Sequence, residues 1–215
     1  MTRYDRRQQG LAISLAMLAG FVDALAFIYL GGFFVSFMSG NSTRLGVGLV
    51  DGSASAYIAA GLIPLFVLGA ASGSAIGHFA KKRRRAVVMG LVTSCLFVAA
   101  VLNASGQMHY AIIAMVIAMG AENTVFERDG EVSIGLTYMT GSLVKLGQKL
   151  AQAFLGGARL SWLPYFLLWG GLVSGVALGA ASYAHIGLGS LWIAASASAL
   201  LMIFAAVSER DGSPS

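Results

Sequence analysis

Six long apolar stretches, Leu11 to Leu30, Ala56 to Ala80, Ala86 to Leu102, Tyr110 to Phe126, Trp162 to Tyr183 and Gly187 to Ala206, alternate with short polar breaks along this chain. Each approaches or exceeds the length of about 20 apolar residues that carries a helix across a bilayer. The longest polar stretches are the ten N-terminal residues, Lys81 to Arg85, Glu127 to Glu131 and the C-terminal tail, so no soluble domain fits. Leu11 to Leu30 is too long for the core of a typical signal peptide and is expected to be retained.

Between the crossings lies a motif that occurs twice. Met38-Ser39-Gly40-Asn41-Ser42-Thr43-Arg44-Leu45-Gly46 recurs as Met139-Thr140-Gly141-Ser142-Leu143-Val144-Lys145-Leu146-Gly147. In both copies an aromatic precedes the Met, a hydroxyl residue precedes the Gly, and a cation stands four residues after that Gly. Pro64 against Pro164, Ser72-Gly73 to Gly77 against Ser174-Gly175 to Gly179, and Gly20-Phe21-Val22-Asp23 against Gly120-Ala121-Glu122-Asn123 extend the match at nearly the same offset. A period of about one hundred is too long for a solenoid, and duplicated apolar halves are the usual signature of a transporter or channel. The chain reads as one membrane domain, residues 1–215, with repeat one at about 11–105 and repeat two at about 107–208.

The motif segments themselves, about 33–50 and 133–157, are ambiguous between full crossings and broken or re-entrant ones. Gly31-Gly32 ends the first crossing, Phe33 to Met38 has the aromatic and Val content of an extended run, and Ser39 reads as an N-cap. The helix after it, of about eleven residues, spans roughly 16 Å, half a hydrocarbon thickness. In the second copy Val132 to Met139 is again β-prone and Thr140 is the expected cap. The polar residues Lys145, Gln148, Lys149 and Gln152 then fall on one helical face, which lines an aqueous path or snorkels to the surface.

Composition removes other classes. With 57% hydrophobic and 11% charged residues the chain lies outside the soluble range, where charged residues alone make about a quarter. The net charge of +5 is gathered in clusters without interleaved aromatics, so it is a topology signal and not a nucleic-acid footprint. The single cysteine, Cys95, excludes an internal disulfide. By the positive-inside rule Arg3, Arg6 and Arg7 put the N-terminus in the cytoplasm. Eight crossings would then place Lys81 to Arg85 outside. Six crossings, with both motif segments dipping in and returning, keep the termini, Lys81 to Arg85, Arg128, Arg159 and Arg210 together in the cytoplasm. The expected fold is an all-α integral membrane protein of six transmembrane helices plus two broken or re-entrant half-helix segments. Three crossings per half invert the second repeat relative to the first, and the two motifs enter from opposite faces.

Half-helices that start at the midplane aim unpaired N–H groups and the positive dipole end at the membrane centre. Ser39, Gly40 and Asn41 facing Thr140, Gly141 and Ser142 would bind a small anion or polar solute, with Arg44 and Lys145 strengthening the preference for an anion. The plainer alternative makes Ser39 and Thr140 caps and pairs Arg44 and Lys145 with Asp23 and Glu122. Asp23 and Glu122, with Asn123 beside the latter, are the candidates for proton coupling, because a carboxyl group inside a membrane is costly unless it has a task or a partner. For Asp23 a plain hydrogen bond to a neighbouring helix is the competing reading.

Gly20-Phe-Val-Asp23-Ala-Leu, the run Gly32-Phe-Phe-Val-Ser-Phe-Met-Ser-Gly-Asn41, Gly120-Ala-Glu-Asn123 and Tyr138-Met-Thr-Gly141 resemble the YoaK-like family of bacterial membrane proteins over nearly the whole chain. The resemblance implies an inner-membrane protein of about six helices with no assigned activity; Glu122 departs from it, standing where a neutral amide is expected. Three functions compete: a small-solute transporter or channel, a membrane-embedded enzyme, and a structural or regulatory membrane protein. The enzyme ranks last, since there is no His-rich cluster, spaced Cys pair or nucleophile signature, and no cofactor or metal is expected. The bilayer is the expected partner. Gly-rich helix faces allow close packing within a chain or between copies, so a homo-oligomer stays open.

Overall fold

The computed structural model describes residues 5–128 and 130–211. Arg3, counted above toward a cytoplasmic N-terminus, and Asp129 of the charged loop lie outside the described residues. Among the described residues eight α-helices follow in order: α1 (Arg6–Tyr29), α2 (Met38–Asp51), α3 (Ala54–Ala80), α4 (Arg84–Ala104), α5 (Met108–Glu122), α6 (Met139–Phe154), α7 (Leu163–Ile186) and α8 (Leu191–Asp211). Short 3-10 turns, Lys81–Arg83 and Gly187–Ser190, join α3 to α4 and α7 to α8. The stretches Arg6–Tyr29, Ala54–Ala104 and Leu163–Arg210 are long and apolar enough to cross a membrane, and α5 is a shorter apolar helix.

Local chemistry sets several of these ends. Asp5 caps α1 by accepting from the Gln8 amide at 2.7 Å. Gly52, at φ 67°, ends α2 in the left-handed conformation that favours glycine. Pro164 sits in the first turn of α7, where its missing N–H costs nothing. Neither expected motif cap is one. α2 and α6 start two residues earlier than those caps imply, at Met38 and Met139, after Phe37 and Tyr138, and neither start has a side-chain cap. Ser39 and Thr140 therefore lie inside the first turn. The β-prone runs are irregular for most of their length; the strands formed, Glu127–Arg128 and Glu131–Val132, pair antiparallel across the charged loop.

Glycines decide how the long helices pack. A Cβ on Gly171, Gly175 or Gly179 of α7 would run into the carbonyl oxygens of Ile13, Met17 and Phe21 of α1, so these helices lie in backbone contact and run parallel. α3 and α5 do the same, with Gly69 against Ile117 and Gly73 against Ala121. Gly20 of α1 abuts the carbonyl of Leu172, and Gly120 of α5 abuts that of Phe66. The first half thus lends α1 to the second half's α7, and the second half lends α5 to α3. These contacts match Gly69 with Gly175 and Gly73 with Gly179, one helical turn away from the sequence match of Gly73 with Gly175. Pro64, inside α3, and Pro164, in the first turn of α7, are accordingly not equivalent.

α4 and α8 run antiparallel. Ser198 donates to Thr93 at 2.7 Å, and Glu209 accepts from the amides of Arg85 and Ala86 at 2.9 and 3.3 Å. α2 packs on α3 and α6 on α7, and α2 and α6 share no packed interface. The outward surface carries large exposed apolar side chains, among them Val50, Tyr57 and Phe79. Such a surface belongs against lipid.

Candidate functional site

The polar interior is built around the two segments that lead into α2 and α6. Asp23 lies six residues before the end of α1, about 9 Å back along the helix. Its Oδ1 accepts from the amides of Val35 and Ser36, both at 2.8 Å, and its Oδ2 accepts from the Ser36 hydroxyl. After leaving α1 the chain has therefore turned back down beside it. Asn41, in the first turns of α2, holds the same segment from the other side: its Oδ1 accepts from the Phe34 amide at 3.1 Å and its Nδ2 donates to the Phe34 carbonyl at 2.7 Å.

The second half makes a related tie with a neutral side chain. Asn123 accepts from the Thr137 hydroxyl at 2.9 Å and donates to the Met119 carbonyl at 3.0 Å. Ser142 takes the place of Asn41 and is buried, but no clasp of the Asn41 kind forms. Ser36 and Thr137 were not singled out from sequence. Their signal is their hydroxyl groups, which precede the two motifs at the same spacing.

Glu122 differs from the rest. It is completely buried, and neither carboxyl oxygen has a hydrogen-bond partner. Its place in the first half is taken by Val22. α1 touches α5, and Asp23 and Glu122 are buried on these two helices. A carboxyl group so placed is costly and marks a functional position by default.

The two motif cations do not join this interior. The Arg44 guanidinium lies 4.8 Å from the centre of the Phe33 ring and against Gly32, whose missing side chain leaves room for it: a Cβ there would lie 2.6 Å from Nη2. Lys145 is exposed on α6, and Lys149 donates to Gln152 at 2.9 Å. The pairings of the plainer alternative, Arg44 with Asp23 and Lys145 with Glu122, do not form. Ser39, Thr140 and Gly141 are exposed and Gly40 is half-buried. Two surface grooves lie elsewhere. One of about 480 Å³ is lined by Thr93, Phe97 and Trp192 between α4 and α8, and one of about 260 Å³ by Gly48, Ala56 and Tyr57 between α2 and α3.

Two comparisons bear on this arrangement. A family model described as a protein of unknown function, DUF1275, matches residues 11–204. A UPF0700 transmembrane protein of Rhizobium meliloti (strain 1021) is 35% identical over 198 residues, which covers 91% of this chain and 86% of that protein. No solved structure matches.

Proposed function

We propose a transport role for this chain, which belongs to the DUF1275 family of proteins of unknown function. The chain is a multi-pass membrane protein; its proposed role is to move a small polar solute or anion past the carboxyl group of Glu122, coupled to a proton held there. The observation that carries this reading is Glu122 itself, fully buried and unpartnered where the two halves meet. Asp23 and Asn123 keep the two re-entrant segments closed on either side of it. Hydroxyl, amide and carboxyl groups make up this interior while Arg44 and Lys145 do not join it, which favours a solute that donates hydrogen bonds over one that is only negative.

Helix directions support six crossings in two inverted repeats. With α4 antiparallel to α8, the chain must reverse an odd number of times between them, which α5 and α7 satisfy as crossings only if α6 is not one. With α1 parallel to α7, α2 is then not a crossing either. At about 21 and 24 Å for 14 and 16 residues, α2 and α6 are also shorter than the hydrocarbon core. In that frame α1, α4 and α8 place Arg6, Lys81 to Arg85 and Arg210 at one end, taken as cytoplasmic in a bacterial inner membrane, with both termini there.

One observation favours a second reading, a structural or regulatory membrane protein: the ties consume the hydrogen bonds of Asp23, Asn41 and Asn123, and neither of the two grooves described reaches them. Uptake of a panel of small polar solutes and anions into proteoliposomes, with and without a pH gradient, separates the two. Gradient-dependent uptake that Glu122→Gln removes supports transport, and folded protein that moves nothing supports the second reading.

A further inference from the structure

An ion pair joins the two halves at the basic end. Arg84, the first residue of α4, sends Nη2 to Oε2 of Glu127 at 2.6 Å, with the two side chains only 17% and 12% exposed. The same nitrogen reaches the Thr124 carbonyl at 3.4 Å. Glu127 and Thr124 belong to the segment that leaves α5 directly after Glu122 and Asn123, so the guanidinium holds down the chain next to the buried carboxyl group in sequence.

The surroundings aim Arg84 at this place. Gly77 of α3 makes the room: a Cβ there would lie 2.7 Å from Cζ and 2.9 Å from Nη1. Glu209 fixes the start of α4 through the amides of Arg85 and Ala86, and Arg85 lies over the Phe126 ring, 5.3 Å from its centre. The end of α3, the start of α4, the end of α8 and the segment after α5 therefore meet at one knot. The matching junction of the other half is Gly187–Ser190, joined by a contact of 2.7 Å between the Ser182 and Ser190 hydroxyls, and the segment Leu30 to Phe37 after α1 contains no acidic residue. The bond set of Arg84 is also incomplete, since its Nε is buried without a partner.

We propose that Arg84 and Glu127 form the latch of a gate at the basic end. Closed, the pair pins residues 124–127 against α3 and α4 and seals Glu122 from that face; open, it frees the segment and exposes the carboxyl group to the same face. The gate's purpose rests on the transport reading, whereas its opening is a property of the chain alone. Removing one partner leaves the other buried and unpaired, which shifts the population toward the open form.

The test uses full-length protein with Cys95→Ala and one new thiol, Thr124→Cys, in inside-out vesicles treated with a membrane-impermeant maleimide. Labelling is expected to be slow with the latch intact and about tenfold faster or more in Glu127→Gln and in Gly77→Ala, which displaces Arg84 without removing a charge. A second thiol, Ser198→Cys, buried between α4 and α8, is expected to stay slow in both variants. Unchanged labelling at position 124 overturns the latch, and so does a rise of equal size at position 198, which reports general loosening. The measurement needs no solute, so a chain that transports nothing could still show the gate.

Discussion

Asp23 and Asn123 stand at matching places in the two halves and bind matching hydroxyl groups, those of Ser36 and Thr137. The acid takes two backbone amides as well, while the amide bonds a carbonyl one turn back in its own helix. One position thus has two solutions, a carboxyl group that organises a tight turn and an amide that fastens a looser segment.

Asp23→Ala is expected to lower stability by about 3 kcal/mol or more, because it leaves the Val35 and Ser36 amides and the Ser36 hydroxyl buried without an acceptor, at about 1–3 kcal/mol each. Asp23→Asn keeps an acceptor oxygen and is expected to cost well under half as much. Thermal unfolding in detergent checks both, and equal losses would show that the charge matters more than the bonds.

Glu122→Leu is expected to behave in the opposite way. Removing a buried, unpartnered polar group raises stability by about 1–3 kcal/mol, while gradient-driven uptake is lost. A destabilised Glu122→Leu would mean that the carboxyl group has a structural partner.

The helix contacts give a third expectation. Gly20→Ala and Gly175→Ala push a methyl group into the facing backbone and are expected to cost about 1–3 kcal/mol or more. Gly61→Ala and Gly170→Ala, with nothing within 4 Å, are expected to be neutral or stabilising by about 0.5–1 kcal/mol. Melting temperatures of the four variants check the register, and a harmless Gly175→Ala would contradict the parallel packing of α1 and α7.

Much of this architecture is legible in the sequence because polar groups are rare in it. Asp23, Asn41, Glu122 and Asn123 stand out against apolar neighbours, and all four are buried. The register of α3 against α7 is not legible, since glycines recur every four residues on both helices and a slip of one turn preserves the pattern. Nor is the fate of Arg44. The Gly32 backbone makes room for its side chain beside Phe33, and only the folded chain shows that a ring, not Asp23, is its neighbour. The caps are not legible either: both helices begin before the hydroxyl residue, at Met38 and Met139, so Ser39 and Thr140 fall inside the first turn and neither start has side-chain help.

The measurement that tests the account most directly is the sidedness of the two motifs, because a path past Glu122 requires them to be reached from opposite faces. Single thiols at Ser39 and Thr140, in a Cys95→Ala background, are treated with an impermeant maleimide in right-side-out and inside-out vesicles. The account predicts that Thr140→Cys labels from the face that carries Lys82, and Ser39→Cys from the other face only. Labelling of both from one face would contradict the inverted arrangement, and with it the proposed path.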